Sequence, residues 1–194
     1  MTGIRDFIIE VKEPFKDTIS YGDVEIYIEK NISRDRSSNR HGRVISCPFE
    51  NDNMILSADD EIIFDATILY KQIYKEGIQN SVFLVDEEKS WYRIDPSLIV
   101  LYRKQTSDEW RGYKDNLMVE FDKPSSLEKD NSTSIIVRNE KQKKARIIYI
   151  NDAAEQLGVE KNDSAFVRNE ITGVPFFFNE KTLHWIRNKD LLAI

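Results

Sequence analysis

Apolar residues in this 194-residue chain recur mainly with a period of two or in short runs bounded by polar clusters, and sustained 3.6-residue periodicity is scarce. Side chains alternate between faces on a strand, so this pattern predicts a mostly β protein. In the first half the strands are expected at 24–29, 44–46, 61–70, 81–85, 91–94 and 98–102. In the second half they are expected at 117–121, 134–137, 146–150, 164–168, 175–178, 183–187 and 191–194. Short strands at roughly even spacing point to small barrels or a sandwich rather than a βαβ sheet. One helical turn fits 152–157, with Gly158 as its stop.

Laying one half over the other reveals a repeat. Gly42-Arg43-Val44-Ile45 corresponds to Ala145-Arg146-Ile147-Ile148, 103 residues further on, and Asp60 to Phe64 corresponds to Asp163 to Val167 at the same offset. Further along, Trp91 to Ile99 lines up with His184 to Leu192 at an offset of 93, and the difference of ten falls between Ile68 and Ser81. The chain therefore reads as a first barrel over 1–102 with an N-terminal extension (1–16), a polar linker over 103–110, and a second barrel over 111–194.

Net charge and composition exclude several function classes. A formal charge of -6 argues against a nucleic-acid or anionic-membrane partner, which needs a basic field. No run approaches the roughly 18 apolar residues of a membrane span, and the N-terminus lacks a secretory layout, so a cytoplasmic location is expected. Cys47 is the single cysteine and reads as a small apolar residue at a strand end in a reducing compartment.

The second half resembles the GroES-type co-chaperonins (chaperonin-10 family). Arg111-Gly112-Tyr113-Lys114-Asp115-Asn116-Leu117-Met118-Val119 is similar to that family's opening strand. Leu157-Gly158-Val159-Glu160-Lys161-Asn162-Asp163 is similar to its turn before the third strand, Thr172-Gly173 to a later hairpin, and Lys189-Asp190-Leu191-Leu192-Ala193-Ile194 to its terminal strand. The resemblance covers nearly all of 111–194 and, more faintly, 14–102. It implies two tandem GroES-like small β-barrels and a loop that docks on a GroEL-type chaperonin through an aliphatic tripeptide, here Ile135, Ile136 and Val137. Ser134 stands where the family has a glycine, and Asn162 replaces the glycine of the turn, which asparagine suits because it tolerates left-handed backbone. Only residues 151–161 connect the strands that in many members carry a roof hairpin, so the resemblance implies a roofless form like that of some phage-encoded co-chaperonins. In the first half, residues 31–41 occupy the finger's place and lack such a triplet.

The finger has a physical logic of its own. From Ser125 to Lys144 the chain is polar and charged apart from Leu127 and the triplet, a composition expected to stay mobile until bound. Burying three aliphatic side chains stabilises by roughly 1.5–3 kcal/mol each, while ordering backbone costs about 1–2 kcal/mol per residue. One loop binds weakly, and several presented by a homo-oligomeric ring bind by avidity. The ring expected is sevenfold, made by the finger-bearing half with the first half beside it. The bland alternative makes 134–137 a buried strand.

No catalytic, cofactor or metal site is expected. The two histidines, His41 and His184, lack partners at ligand spacing. Asp59-Asp60-Glu61 and Asp86-Glu87-Glu88 read as solvated turns, and Lys141 to Arg146 as a solvated basic run. Trp91, Tyr92, Phe176, Phe177, Phe178 and Trp185 read as core rather than a stacking platform. The expected function is a non-enzymatic co-chaperonin that caps a chaperonin ring during ATP-dependent folding. The alternative is a structural or adaptor module, such as one used in viral assembly, without chaperonin contact.

Overall fold

The structure is a computed structural model, and it describes residues 5–15, 18–21, 24–27, 38–49, 55–70, 72–74, 77–122, 142–168, 173–179 and 181–193. The chain divides into two compact units, Met1–Trp110 and Arg111–Ile194, and both are built on antiparallel sheets. Among the described residues no helix is long and apolar enough to cross a membrane.

The first unit contains β1 (Phe7–Glu10), β2 (Thr18–Tyr21), β3 (Val24–Tyr27), β4 (His41–Ser46), β5 (Glu61–Phe64), β6 (Gln72–Tyr74), β7 (Gly77–Gln79), β8 (Leu84–Asp86), β9 (Trp91–Ile94) and β10 (Ile99–Arg103). Its main sheet runs β10-β5-β4-β1-β9-β8, with β2–β3 and β6–β7 as separate hairpins. The second unit contains β11 (Arg111–Gly112), β12 (Asn116–Phe121), β13 (Gln142–Tyr149), α1 (Asp152–Gln156), β14 (Ser164–Arg168), β15 (Val174–Phe178), β16 (Lys181–Arg187) and β17 (Leu191–Ala193). Its sheet runs, in the same sense, β17-β14-β13-β12-β16-β15.

These two orders are one topology. In each unit the first long strand (β1, β12) is central, flanked on one side by the second and third strands of the repeat and on the other by the fifth. The irregularities repeat as well. Ile9 pairs with Val44 and Ile8 with Ser46, skipping Ile45, and Val119 pairs with Ile147 and Met118 with Tyr149, skipping Ile148. A second bulge recurs where Phe64 and Ile63 face Ile99 and Leu101, and where Val167 and Phe166 face Leu191 and Ala193. The extra residue adds local twist at equivalent places, curling each sheet over its own core.

The turn that opens the third strand is shared at the offset of 103. Asp59 and Asn162 have φ of +69° and +74°, and their amides donate to the Val44 and Ile147 carbonyls at 2.8 and 2.7 Å. The next residue, Asp60 or Asp163, accepts from the Ser57 or Glu160 amide at 2.8 or 2.7 Å. Asn162 thus holds the left-handed backbone expected of it.

Three expectations need correction. Neither sheet closes into a barrel, because the strands at the two ends of each order are not paired with each other. Closure requires matched tilt and stagger, and end strands as short as β8 and β17, three residues each, offer few hydrogen bonds toward it. Next, the C-terminal offset is 92 rather than 93. Ile94 faces Phe7 as Ile186 faces Leu117, and Tyr92 faces Ile9 as His184 faces Val119. An offset of 93 would set fully buried Ile94 against exposed Arg187, because a one-residue slip exchanges the faces of a strand. The first unit's connection is accordingly eleven residues longer than the second's, the drop from 103 to 92, and it includes the β6–β7 hairpin and a 3-10 turn, Ala66–Leu69, inside what reads as a continuous strand over 61–70. Finally, residues 7–10 are no extension. They are the central strand of the first sheet, with Phe7, Ile8 and Ile9 all buried.

The units differ in how the shared turn is anchored. Asp60, 3% exposed, also accepts from Lys104 Nζ at 2.9 Å and from the Gln105 amide at 3.1 Å, which draws the start of the expected linker onto the first unit. Among the described residues, the Asp163 carboxylate accepts only from the Glu160 amide. Asp60→Ala is therefore expected to cost about 3 kcal/mol, since it removes the buried acceptor of Lys104 and of the Ser57 and Gln105 amides, and Asp163→Ala about 1 kcal/mol. Urea denaturation followed separately in each unit reads both values, and equal costs would contradict this account.

Candidate functional site

β12 and β13 lead to the segment that carries the aliphatic triplet. Leu117 and Val119 alternate inward on β12, Ala145 and Ile147 inward on β13, and all four join one buried cluster with Ile150, Ala154, Val159, Ala165, Val167 and Ile186. The alternation continues to Phe121, which packs partly buried at the edge of that cluster. Pairing extends outward to Phe121 opposite Ala145, and the Asp122 amide donates to the Lys144 carbonyl at 3.1 Å. Residues 123–141 are thus an excursion between two paired strands. Ile135, Ile136 and Val137 belong to that excursion and lie outside the described residues, as does the rest of 134–137.

Side chains at the root of this excursion form a cluster. The Phe121 ring meets His184 of β16 edge to face, with centroids 4.8 Å apart, and Lys143 Nζ lies 5.7 Å from the centroid of the same ring. His184 Nδ1 is buried and has no hydrogen-bond partner among the described residues. Burial, and secondarily the charge of Lys143, hold the imidazole pKa below its usual range. Phe121 was legible as the third inward position after Leu117 and Val119, whereas its junction with Lys143 and His184 depends on strand order. The basic run that reads as solvated thus contributes one of its lysines to this rim.

The opposite end of the unit is fixed by amides. Asn151, fully buried, caps α1 by accepting from the Ala154 amide at 2.8 Å, and its Nδ2 donates to the Asn116 carbonyl at 2.9 Å and to Asn188 Oδ1 at 2.7 Å. Trp185 Nε1 donates to Asn116 Oδ1 at 2.9 Å. Gly112 is required nearby, because a Cβ there would sit 1.9 Å from the Asn116 carbonyl oxygen. Gly158, with φ of +83°, ends α1 as its position after the helical turn suggests.

In the first unit the equivalent excursion joins β1 to β4, since those strands correspond to β12 and β13. It is pinned where the Asn39 amide donates to the Pro14 carbonyl at 2.9 Å and where Phe15 bridges Ser38, and it includes the β2–β3 hairpin. The expectation that residues 31–41 alone fill this place came from missing β1 as the strand before it.

The other candidates resolve into structural roles. Each member of the first acidic triplet has a basic partner: Asp59 with Arg43 at 2.9 Å, Asp60 with Lys104, and Glu61 with Arg103. Such pairing corrects the reading of these residues as simply solvated. Arg43 also donates to Glu10, chiefly for which reason its guanidinium pKa is raised. His41 begins β4, with its Nε2 3.4 Å from Glu61 Oε1 and its ring 5.8 Å from that of Trp110. Cys47, just past β4, points its thiol at the Leu56 carbonyl, and burial pushes its pKa up. Tyr92 and Phe176 are buried, while Phe177 is half exposed. Among the described residues no three His, Cys, Asp or Glu side chains gather as a metal site would require.

No family model matches the chain, and no curated protein is significantly similar to it.

The described core of the second unit is built from residues on either side of 123–141. Replacing them with a short Asn-Gly turn is expected to leave that unit folded, with its stability changed by no more than about 1.5 kcal/mol from loop closure. Loss of a cooperative unfolding transition, read by circular dichroism against urea, would contradict this.

Proposed function

We propose that the protein is a co-chaperonin of the GroES type, docking on a GroEL-type chaperonin ring through Ile135, Ile136 and Val137. The observation that carries this reading is the position of the triplet. It lies in a polar connection joining the central strand to its neighbour, in a unit whose sequence has segments resembling the family's motifs, in the same order, on either side of it. That is the family's place for its chaperonin-binding loop.

The chemistry asked of such a loop is modest. Three aliphatic side chains entering an apolar groove supply roughly 1.5–3 kcal/mol each, most of which the ordering of the backbone offsets. A single contact is then weak enough to release within a nucleotide cycle, and a ring of copies converts later contacts into intramolecular ones. The protein itself performs no bond chemistry in this scheme. Its first unit repeats the scaffold without a run of three aliphatic residues in the connection between β1 and β4, where the longest apolar run is Ile26-Tyr27-Ile28.

Ile136→Asp places a charge in the apolar contact and is expected to abolish ATP-dependent co-migration with a purified sevenfold chaperonin, while circular dichroism and urea unfolding stay unchanged. Undiminished capture of this variant would exclude the tripeptide as the docking element. If the unaltered chain neither co-migrates nor assists refolding of a chaperonin-dependent client, the adaptor reading takes its place.

A further inference from the structure

We propose that His184 makes the rim of the second sheet a pH-sensitive weak point, at which protonation of the imidazole opens the Phe121–His184–Lys143 cluster and loosens the adjoining end of the β12–β16 ladder. The rim is where β12 and β13 part to form the proposed docking excursion. The inference concerns the regulation of that excursion's anchorage and stands independently of what the excursion binds.

The geometry supplies two penalties for the charged ring. Nδ1 is buried and faces no acceptor among the described residues, so the N–H that protonation guarantees there would lose water without gaining a partner. Lys143 Nζ lies on the same Phe121 ring that His184 packs against, which brings a second cation into the cluster. Among the described residues, the elements packed around His184 bring no acidic side chain against it. β12 faces it with Val119 and Phe121, β15 with Pro175, and Gly173 lies beneath its Cβ. Among the described residues Lys143 is the charged group that acts on it, and it repels.

The sign follows from these contacts. The folded state holds the imidazole pKa below that of an opened rim, whose value is near the ordinary 6.5. Rim stability is therefore full above about pH 6.5 and is lost as pH falls below it, because the opened form takes the proton more readily. The sister unit provides a control in the same molecule. Tyr92 occupies the position equivalent to His184, opposite Ile9 as His184 is opposite Val119, and burial moves its phenol pKa upward, away from this range.

Native-state hydrogen exchange of the full chain, corrected for the intrinsic pH dependence of exchange, tests the proposal. Between pH 7.5 and 5.5 the protection of the Met118, Val119 and His184 amides is expected to fall severalfold relative to the Ile8, Ile9 and Tyr92 amides, within the limit of about tenfold per pH unit for one proton. His184→Tyr, which copies the sister position, and His184→Gln are each expected to remove the difference, and Lys143→Gln to reduce it. The unaltered protein alone decides the matter if the variants fold poorly. Equal pH responses of the two ladders, or a ring that titrates by NMR at or above 6.5, would overturn the proposal, as would a pH response that persists in folded His184→Gln.

Discussion

Each unit depends on one strand that is buried on both faces. Phe7, Ile8 and Ile9 of β1 and Leu117, Met118 and Val119 of β12 are all at most 3% exposed, and each strand is hydrogen-bonded on both sides. A strand so placed admits one register, because a slip of one residue would draw Glu10 or Glu120 inward. The bulges at Ile8/Ile9 and Met118/Val119 bend the partner strand at equivalent points. From there the shared left-handed turn aims the third strand, and the same strand order follows in both units.

The parts of this that the sequence discloses are those where periodicity and turn chemistry agree. Strands at 91–94 and 164–168, the stop at Gly158 and the tolerance of Asn162 for its backbone all come from local patterns. The central strand of the first unit escaped for a related reason. Phe7-Ile8-Ile9 is an unbroken apolar run at the start of the chain, without the alternation that marks a half-buried strand, and only the sheet explains why both its faces are apolar. The slip from 92 to 93 arose because Trp91 to Ile99 and His184 to Leu192 share enough aromatic and aliphatic residues to align either way. Pairing with β1 and β12 decides between them.

The rim cluster was beyond the sequence for a different reason. Phe121, Lys143 and His184 come from three strands separated by up to 63 positions, and their meeting is a consequence of β12 lying between β13 and β16. The acidic triplet near residue 60 behaves likewise: its partners Arg43, Arg103 and Lys104 come from β4 and from the end of β10. What looks like a solvated turn in one dimension is an ion-paired clamp in three. The proposed docking function draws on both levels, with motif order supplying the triplet and the sheet supplying two pinned strand ends from which it departs.

The proposed docking requires multiplicity for a three-residue contact to suffice, and therefore requires assembly. Native mass spectrometry of the protein at micromolar concentration measures this directly. A closed ring, sevenfold to match its proposed partner, is the expected result. A mass corresponding to a single chain, unchanged when chaperonin and nucleotide are added, would contradict it.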